Sequence, residues 1–371
     1  MSAAPPGPRS VLLAGGGTAG HVSPLLALAD ALRRRHEDVR VAALGTAEGL
    51  ESRLVPSRGY ELRLVPRVPL PRRPSADLLR LPAALRRAVA AAGTAIEETG
   101  AEVVVGFGGY VSAPAYLAAR RRGVPVVVHE QNARPGVANR LGARVATSVA
   151  VTFPGTPLPR ATVTGMPLRR EVALLDRAAR REEGLAHFGL DGRWPTLLVT
   201  GGSLGAQRLN DAFAGAVDGL RAAGVQVLHV TGAGKEFDVV PAGVGPPYVV
   251  VPYVDRMDLA YAAADLVLAR AGASTVCELT AVGLPAVYVP LPIGNGEQRL
   301  NAAGVVAAGG GLLVDDAELA TAWVLEHVPA LLHDAPRLEA MSGAAASVGE
   351  RGGDELLAAL VEDAVRGRRR A

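Results

Sequence analysis

Cysteine, lysine and aromatic side chains are scarce in this 371-residue chain: one cysteine (Cys277), one lysine (Lys235) and aromatics at 4%. A single cysteine excludes an intramolecular disulfide and a cysteine-built zinc cluster, and it fits a reducing compartment. With one lysine, nearly every positive charge is arginine, which reads as the mark of a GC-rich coding sequence rather than of a particular chemistry. No apolar run reaches the ~18–20 residues that a membrane-spanning helix needs. Residues 1–10 are rich in Ala, Pro and Gly, lack the apolar core of a signal peptide, and are expected to form a disordered leader. Charge of one sign does not dominate either. The 39 basic and 36 acidic residues leave +3, so nucleic acid is not an expected partner.

What is abundant is aliphatic sequence, with hydrophobic residues at 49%. The length exceeds the ~250–300 residues at which single cores split, so two domains are expected. Short apolar runs of the buried parallel-strand kind recur at Val11–Ala14, Val39–Leu44, Val103–Val105, Val124–Val128 and Val145–Val151. After the first run comes a glycine loop, Gly15 to Gly20, and then Leu25, Leu28 and Leu32 at helical spacing, with Pro24 placed in the first turn. The pattern restarts at Thr196–Thr200, followed by Gly201-Gly202-Ser203-Leu204-Gly205 and one helix carrying Leu209, Phe213, Val217 and Leu220. Two strand–glycine–helix openings imply two Rossmann-like domains with parallel sheets. The Pro- and Gly-broken stretch from Pro154 to Leu168 is the linker candidate.

Gly15, Gly17 and Gly20 fit the spacing of a dinucleotide loop, but a nicotinamide site wants an acidic residue at the end of the second strand. That strand ends Ala43-Leu44-Gly45-Thr46, with Glu48 beyond it in loop, so no such cofactor is expected. Gly234-Lys235-Glu236 likewise fails the phosphate-loop pattern at the residue after lysine. What such loops do offer is bare N–H groups at a helix N-terminus, which suit a diphosphate, with the Ser203 hydroxyl as an added donor.

Five segments together resemble the MurG family of peptidoglycan glycosyltransferases. They are Gly15-Gly16-Gly17-Thr18-Ala19-Gly20-His21, Gly106-Phe107-Gly108-Gly109-Tyr110-Val111-Ser112 with Val128-His129-Glu130-Gln131-Asn132, Gly201 to Ala206, Arg270 to Leu279, and Asn295 to Ala302. The resemblance implies an α/β GT-B fold, two Rossmann-like domains facing across a cleft. The expected division is an acceptor and membrane-side domain at 11–160, a UDP-N-acetylglucosamine domain at 161–352, and a helix at 353–371 that crosses back and ends in a basic tail. It implies transfer of N-acetylglucosamine, with inversion, from UDP-N-acetylglucosamine to the 4-hydroxyl of the muramoyl sugar of lipid I, giving lipid II at the cytoplasmic face of the cell membrane. Cell-wall synthesis proteins are candidate partners. Another GT-B enzyme (a soluble-acceptor transferase or a UDP-N-acetylglucosamine epimerase) and a non-catalytic UDP-sugar binder remain the alternatives.

The resemblance also assigns roles. Glu278 would accept from the ribose diol, although Thr275-x-x-Glu278 also fits a capping box. Ala273, Ser274 and Thr275 would offer backbone N–H groups to the diphosphate, as would Thr18, Ala19 and Gly20 on the acceptor side. Val254 would pair with the uracil edge, Arg169 would reach the diphosphate, and Glu297 and Gln298 would read the sugar. His21 would either take the acceptor's proton or only hydrogen-bond the acceptor or the loop, with Glu130 and Asn132 as rival acceptor-side groups and His129 structural. No Asp-x-Asp pair is present, so no metal site is expected. A basic amphipathic segment over residues 72–92, with Leu78, Leu81, Leu85 and Val89 on one face and Arg80 and Arg87 opposite, is the candidate membrane contact, weakened as a helix by Pro82.

Overall fold

The computed structural model describes residues 7–68, 77–202, 205–240 and 243–370. The chain divides into two compact units, residues 1–169 with 352–371, and residues 170–351.

In the first unit the aliphatic runs become strands β1 (Ser10–Ala14), β2 (Arg40–Gly45), β3 (Glu61–Leu64), β4 (Val103–Gly106), β5 (Val126–Glu130), β6 (Ser148–Val151) and β7 (Ala161–Val163). They alternate with helices α1 (Ala19–Arg35), α2 (Glu51–Ser57), α3 (Asp77–Thr99), α4 (Ser112–Arg121) and α5 (Val137–Ala143). All pairings are parallel, in the order β3-β2-β1-β4-β5-β6-β7. Strand β1 pairs β2 on one side and β4 on the other, with Ala14 level with Gly106. The winding therefore reverses between β1 and β4, where open parallel sheets bind ligands beyond the carboxyl ends of the strands. The first two glycine segments follow those two strands.

The second unit begins with α6 (Arg170–Ala173) and α7 (Arg177–Phe188). Its sheet holds β8 (Thr196–Thr200), β9 (Gln226–Val230), β10 (Tyr248–Val251), β11 (Leu266–Ala269), β12 (Ala286–Tyr288) and β13 (Gly311–Leu313). These are parallel too, in the order β10-β9-β8-β11-β12-β13. Helices α8 (Gln207–Ala214), α9 (Val217–Ala222), α10 (Met257–Ala263), α11 (Ala273–Ala281), α12 (Glu297–Ala307), α13 (Thr321–Leu332) and α14 (Ala335–Ser347) complete it. Here the reversal falls between β8 and β11, and the third glycine loop and the Arg270 segment follow those strands.

The last helix, α15 (Gly353–Arg370), belongs to the first unit. Leu357, Ala358, Val361, Ala364 and Val365 form its buried stripe, in one cluster with Leu25, Leu28 and Leu32 of α1. At about 1.5–3 kcal/mol per buried Leu or Val, this stripe anchors the helix. Arg34 pairs with Asp354, and Arg35 and His36 both reach Glu362.

Several expectations need correction. Gly7 to Ser10 are not a loose leader: Arg9 accepts from the Arg40 N–H and donates to Glu102, and Ser10 opens β1. The first unit does not end at 160, because Ala161–Val163 pair with β6 as the seventh strand. The single helix expected over 209–220 is two, broken at Gly215–Ala216. Pro24 lies in the second turn of α1, not the first. The basic tail is part of the helix: α15 runs to Arg370, with Arg366 paired to Asp363 and Arg368 donating to the Glu102 carbonyl. Helix α3 is continuous through Pro82, and its Leu85 and Val89 pack into the core flanking the sheet, while the side chains of Leu78 and Arg80 lie outside the described residues. Arg72 and Arg73 lie outside the described residues. Among the described residues no helix is long and apolar enough to cross a membrane.

Candidate functional site

Beyond β1 the chain turns through Gly16 and Gly17, the latter at φ +88°, into α1. Thr18 is the N-cap residue, with Ala19 and Gly20 in the first turn, so their N–H groups lie at the positive end of the helix. His21 follows. Its Nδ1 is 3.1 Å from the Gly16 carbonyl and 3.2 Å from the Thr18 hydroxyl. A carbonyl can only accept, so Nδ1 carries the proton and the neutral ring has its lone pair on Nε2. Burial lowers the His21 pKa, opposed by the Gly16 bond and by the charge of Glu51. A ring kept neutral, with Nε2 unprotonated, is what a general base requires.

The second glycine segment packs directly on this one. Gly109, at φ +79°, leaves no room for a side chain, since a Cβ there would sit 2.6 Å from the Gly16 oxygen. A Cβ on Gly108 would come within 3.2 Å of His21 Nε2, so glycine keeps the space beside that nitrogen open. Ser112 ties the turn together: its Oγ accepts from the Gly108 N–H at 2.9 Å and lies 2.8 Å from the Ala14 carbonyl.

The His129–Asn132 segment ends β5. His129 is fully buried, with Nε2 3.0 Å from the Gly165 carbonyl and a pKa lowered to about 4 by burial. Glu130 is 2% exposed. Its Oε1 accepts from the Asn132 N–H at 2.9 Å, and its Oε2 from the Gly136 N–H and the Asn139 amide, both at 3.0 Å. Burial raises the Glu130 pKa against those bonds. A carboxylate so enclosed shapes the 131–136 loop. Asn132 is half-buried at the rim. Asn139, which no motif marked, links this loop to α4 by accepting from the Tyr116 hydroxyl at 2.7 Å.

In the second unit, Gly202 and Gly205 adopt φ +80° and +65°. A Cβ on Gly205 would meet the Thr231 carbonyl at 1.9 Å, so Gly205 lies flat against the end of β9. Ser203 lies outside the described residues. Gly272 is the N-cap residue of α11, and the first helical bond runs from the Val276 N–H to its carbonyl. Ala273, Ser274 and Thr275 are therefore the three first-turn residues, whose N–H groups have no partner within the helix. Glu278 is the sixth residue of α11, in its second turn rather than its first, and Thr275 is not the cap, so the capping-box alternative falls away. The Tyr261 hydroxyl of α10 donates to Glu278 Oε2 at 2.6 Å, fixing the carboxylate.

The remaining candidates lie on other elements and connections. Val254 is buried in the connection before α10, three residues past β10. Glu297 and Gln298 open α12, and the Gln298 carbonyl oxygen accepts from the Leu291 N–H at 2.9 Å, so its amide N–H groups are what it offers outward. Glu297 and Asn295 bond each other's backbone N–H at 3.2 Å. Arg270 braces this side, donating to the Val289 and Pro290 carbonyls and pairing with Asp316. Arg169 is half-buried and ends the first unit.

Residues 11–151 match the glycosyltransferase family 28 N-terminal domain, and residues 196–357 match its C-terminal domain. The chain belongs to glycosyltransferase family 28. This family 28 protein is 59% identical over 361 residues to a Streptomyces avermitilis relative, covering 97% of this chain and 99% of that one. It is 61% identical over 353 residues to a Nocardioides relative, covering 95% and 97%. Both carry the name UDP-N-acetylglucosamine--N-acetylmuramyl-(pentapeptide) pyrophosphoryl-undecaprenol N-acetylglucosamine transferase. Among solved structures it is similar to Acinetobacter baumannii MurG, at 28% identity and a TM-score of 0.75 over 96% of this chain and 100% of that one. A UDP-N-acetylglucosamine 2-epimerase structure from Listeria monocytogenes, 14% identical with a TM-score of 0.64 over 94% of each chain, shares the fold alone. The fold of this family 28 glycosyltransferase is accordingly of the GT-B type, with two Rossmann-like domains.

Glu51 is a buried acid against the first glycine loop that sequence reasoning did not mark. It stands at the start of α2, is 0% exposed, and accepts from Gly17 N–H, Thr46 N–H and the Thr46 hydroxyl at 2.8, 2.8 and 2.9 Å. Burial acts to raise its pKa, but these bonds outweigh it and hold the pKa below the usual carboxylate value. An acid a few residues beyond a strand was the one available signal.

Proposed function

We propose that this glycosyltransferase moves N-acetylglucosamine from UDP-N-acetylglucosamine to the 4-hydroxyl of the muramoyl sugar of lipid I, forming lipid II. The observation that carries it is the near-full-length identity of about 60% to transferases of that name. In the proposed step the acceptor oxygen attacks the anomeric carbon as its proton passes to His21 Nε2. The bond from that carbon to the UDP oxygen breaks, its electron pair leaves with UDP, and the configuration inverts. Helix α11 suits the donor: its first-turn N–H groups would face the diphosphate, joined by Arg169, and Glu278 would take the ribose hydroxyls. The amide of Gln298 and the carboxylate of Glu297 would contact the sugar, and Val254 the uracil edge. Thr18, Ala19, Gly20 and Asn132 would bind the acceptor. Because that acceptor is lipid-borne, the protein would work as a peripheral protein on the cytoplasmic face of the membrane, in reach of other cell-wall synthesis proteins.

The test is UDP release from UDP-N-acetylglucosamine, with and without a short-chain lipid I analogue, in EDTA. Release that depends on the analogue and survives EDTA is the expected result. No release while UDP still binds in calorimetry would keep the donor site, overturn the acceptor assignment, and favour another GT-B enzyme or a silent sugar-nucleotide binder.

A further inference from the structure

Three glycines that belong to no shared motif spacing surround one carboxylate. A Cβ on Gly16 would lie 2.4 Å from Glu51 Oε1, one on Gly49 2.1 Å from Oε2, and one on Gly45 2.3 Å from Cγ. The first glycine loop, the end of β2 and the turn before α2 are thus all kept bare around the same side chain. A fully buried acid is expensive unless its oxygens are bonded, and here they take three donors, one of them the Gly17 N–H. The Gly17 N–H and the Gly16 carbonyl are the two ends of a single peptide unit. Glu51 holds the N–H end, and His21 Nδ1 donates to the carbonyl end.

We propose that Glu51 is a positioning residue for His21, orienting the Gly16–Gly17 peptide so that its carbonyl fixes the proton on Nδ1 and leaves Nε2 to receive the acceptor's proton. The inference rests on the reading of His21 as the base. The groups facing His21 are Thr18 and Gly16 from its own loop, Gly108 from the second loop, and Glu51 from α2. Among the described residues, Glu51 is the one of these that carries charge. Its field raises the His21 pKa against burial. The relay resembles a carboxylate–histidine pair in which one peptide unit stands between the two members.

The test uses the full chain and the variants Glu51→Gln, His21→Ala and the double variant. Two readouts are followed: NMR titration of the His21 ring, and acceptor-dependent kcat with the short-chain lipid I analogue across pH. Glu51→Gln is expected to lower the His21 pKa, to move the acid limb of kcat/KM to lower pH, and to reduce kcat at least about tenfold, part of the ~10²–10⁴ that a general base supplies. UDP affinity, measured by calorimetry, is expected to change less than about twofold, far below the tenfold that 1.4 kcal/mol represents. Adding Glu51→Gln to His21→Ala is expected to produce little further loss, as residues acting through one another do. Equal losses in both backgrounds, or an unmoved His21 titration, would overturn the proposal. If Glu51→Gln does not fold, the ring ¹⁵N shifts of the unaltered protein decide: a proton on Nε2 in the neutral ring overturns it. A His21→Ala variant with normal kcat would sink the base reading instead, while leaving the titration coupling to be read separately.

Discussion

At the scale of single residues, Glu278 shows how a half-buried carboxylate is prepared for a ligand. Tyr261 donates to one oxygen at 2.6 Å and so selects the rotamer in which a diol would find it. A hydrogen bond to a charged group contributes roughly 1.5–3 kcal/mol, so Glu278→Ala is expected to raise the donor KM at least about tenfold. The effect on kcat should be smaller, because the ribose is remote from the reacting carbon. An unchanged donor KM in a folded variant would remove the ribose role. Glu278 was legible in the sequence, but its place on the helix was not. The start of α11 is set by extended backbone at Gly272, with φ −62° and ψ 145°, and no capping side chain announces it. Glu51 was hidden for a related reason: Gly45, Thr46 and Gly49 just precede it, but the Gly16–Gly17 loop that completes its surroundings lies 34 positions away at Gly17, and only folding brings it there.

At the scale of elements, the aliphatic runs made the parallel strands easy to read, because strands covered on both faces carry few polar residues. The break between α8 and α9 could not be read the same way. Leu209, Phe213, Val217 and Leu220 keep helical spacing straight across it. The space beside Gly215 is filled by Thr321 of α13, where a Cβ would meet the Thr321 hydroxyl at 2.6 Å, so the break is made by packing between distant segments. The glycine loops can be tested by separating backbone conformation from close approach. Gly234 and Gly205 both sit at positive φ, +73° and +65°, but a Cβ on Gly234 meets nothing within 4 Å, whereas one on Gly205 runs into the Thr231 carbonyl. Gly234→Ala is therefore expected to cost about 1 kcal/mol from the left-handed conformation alone. Gly205→Ala adds a backbone clash and should cost about 2–4 kcal/mol. Urea unfolding of both variants checks this, and equal losses would mean that the third loop does not need its contact with β9.

At the scale of the whole molecule, each unit contains one fully buried histidine, and both shape how the protein responds to acid. His129 lies in the first unit with a pKa near 4, and His229 in the second with a pKa near 3, both lowered by burial. His229 is bonded to the Tyr248 hydroxyl and to Asn210, each at 3.0 Å, and packed among Phe213, Phe237 and Tyr248. In the unfolded chain such histidines titrate near 6.5, so below that pH the unfolded state binds protons that the folded state refuses. Stability must then fall as pH drops from about 6.5 towards the folded values, by up to about 1.4 kcal/mol per pH unit for each histidine. The carboxylates held below their usual values, such as Glu51, Glu355 and Glu362, lose their contribution only below about 4.5, outside the upper part of this window. Both tryptophans, Trp194 and Trp323, belong to the second unit, so their fluorescence reports the unfolding of that unit. Urea titrations followed by tryptophan emission at pH 6.5 and pH 5 should show the fall in unaltered protein. In His229→Phe, with Asn210 and Tyr248 left without their partner, absolute stability should be lower at both pH values while the slope between them flattens. A steep slope that persists in the variant would place the acid sensitivity of the second unit somewhere other than its buried histidine.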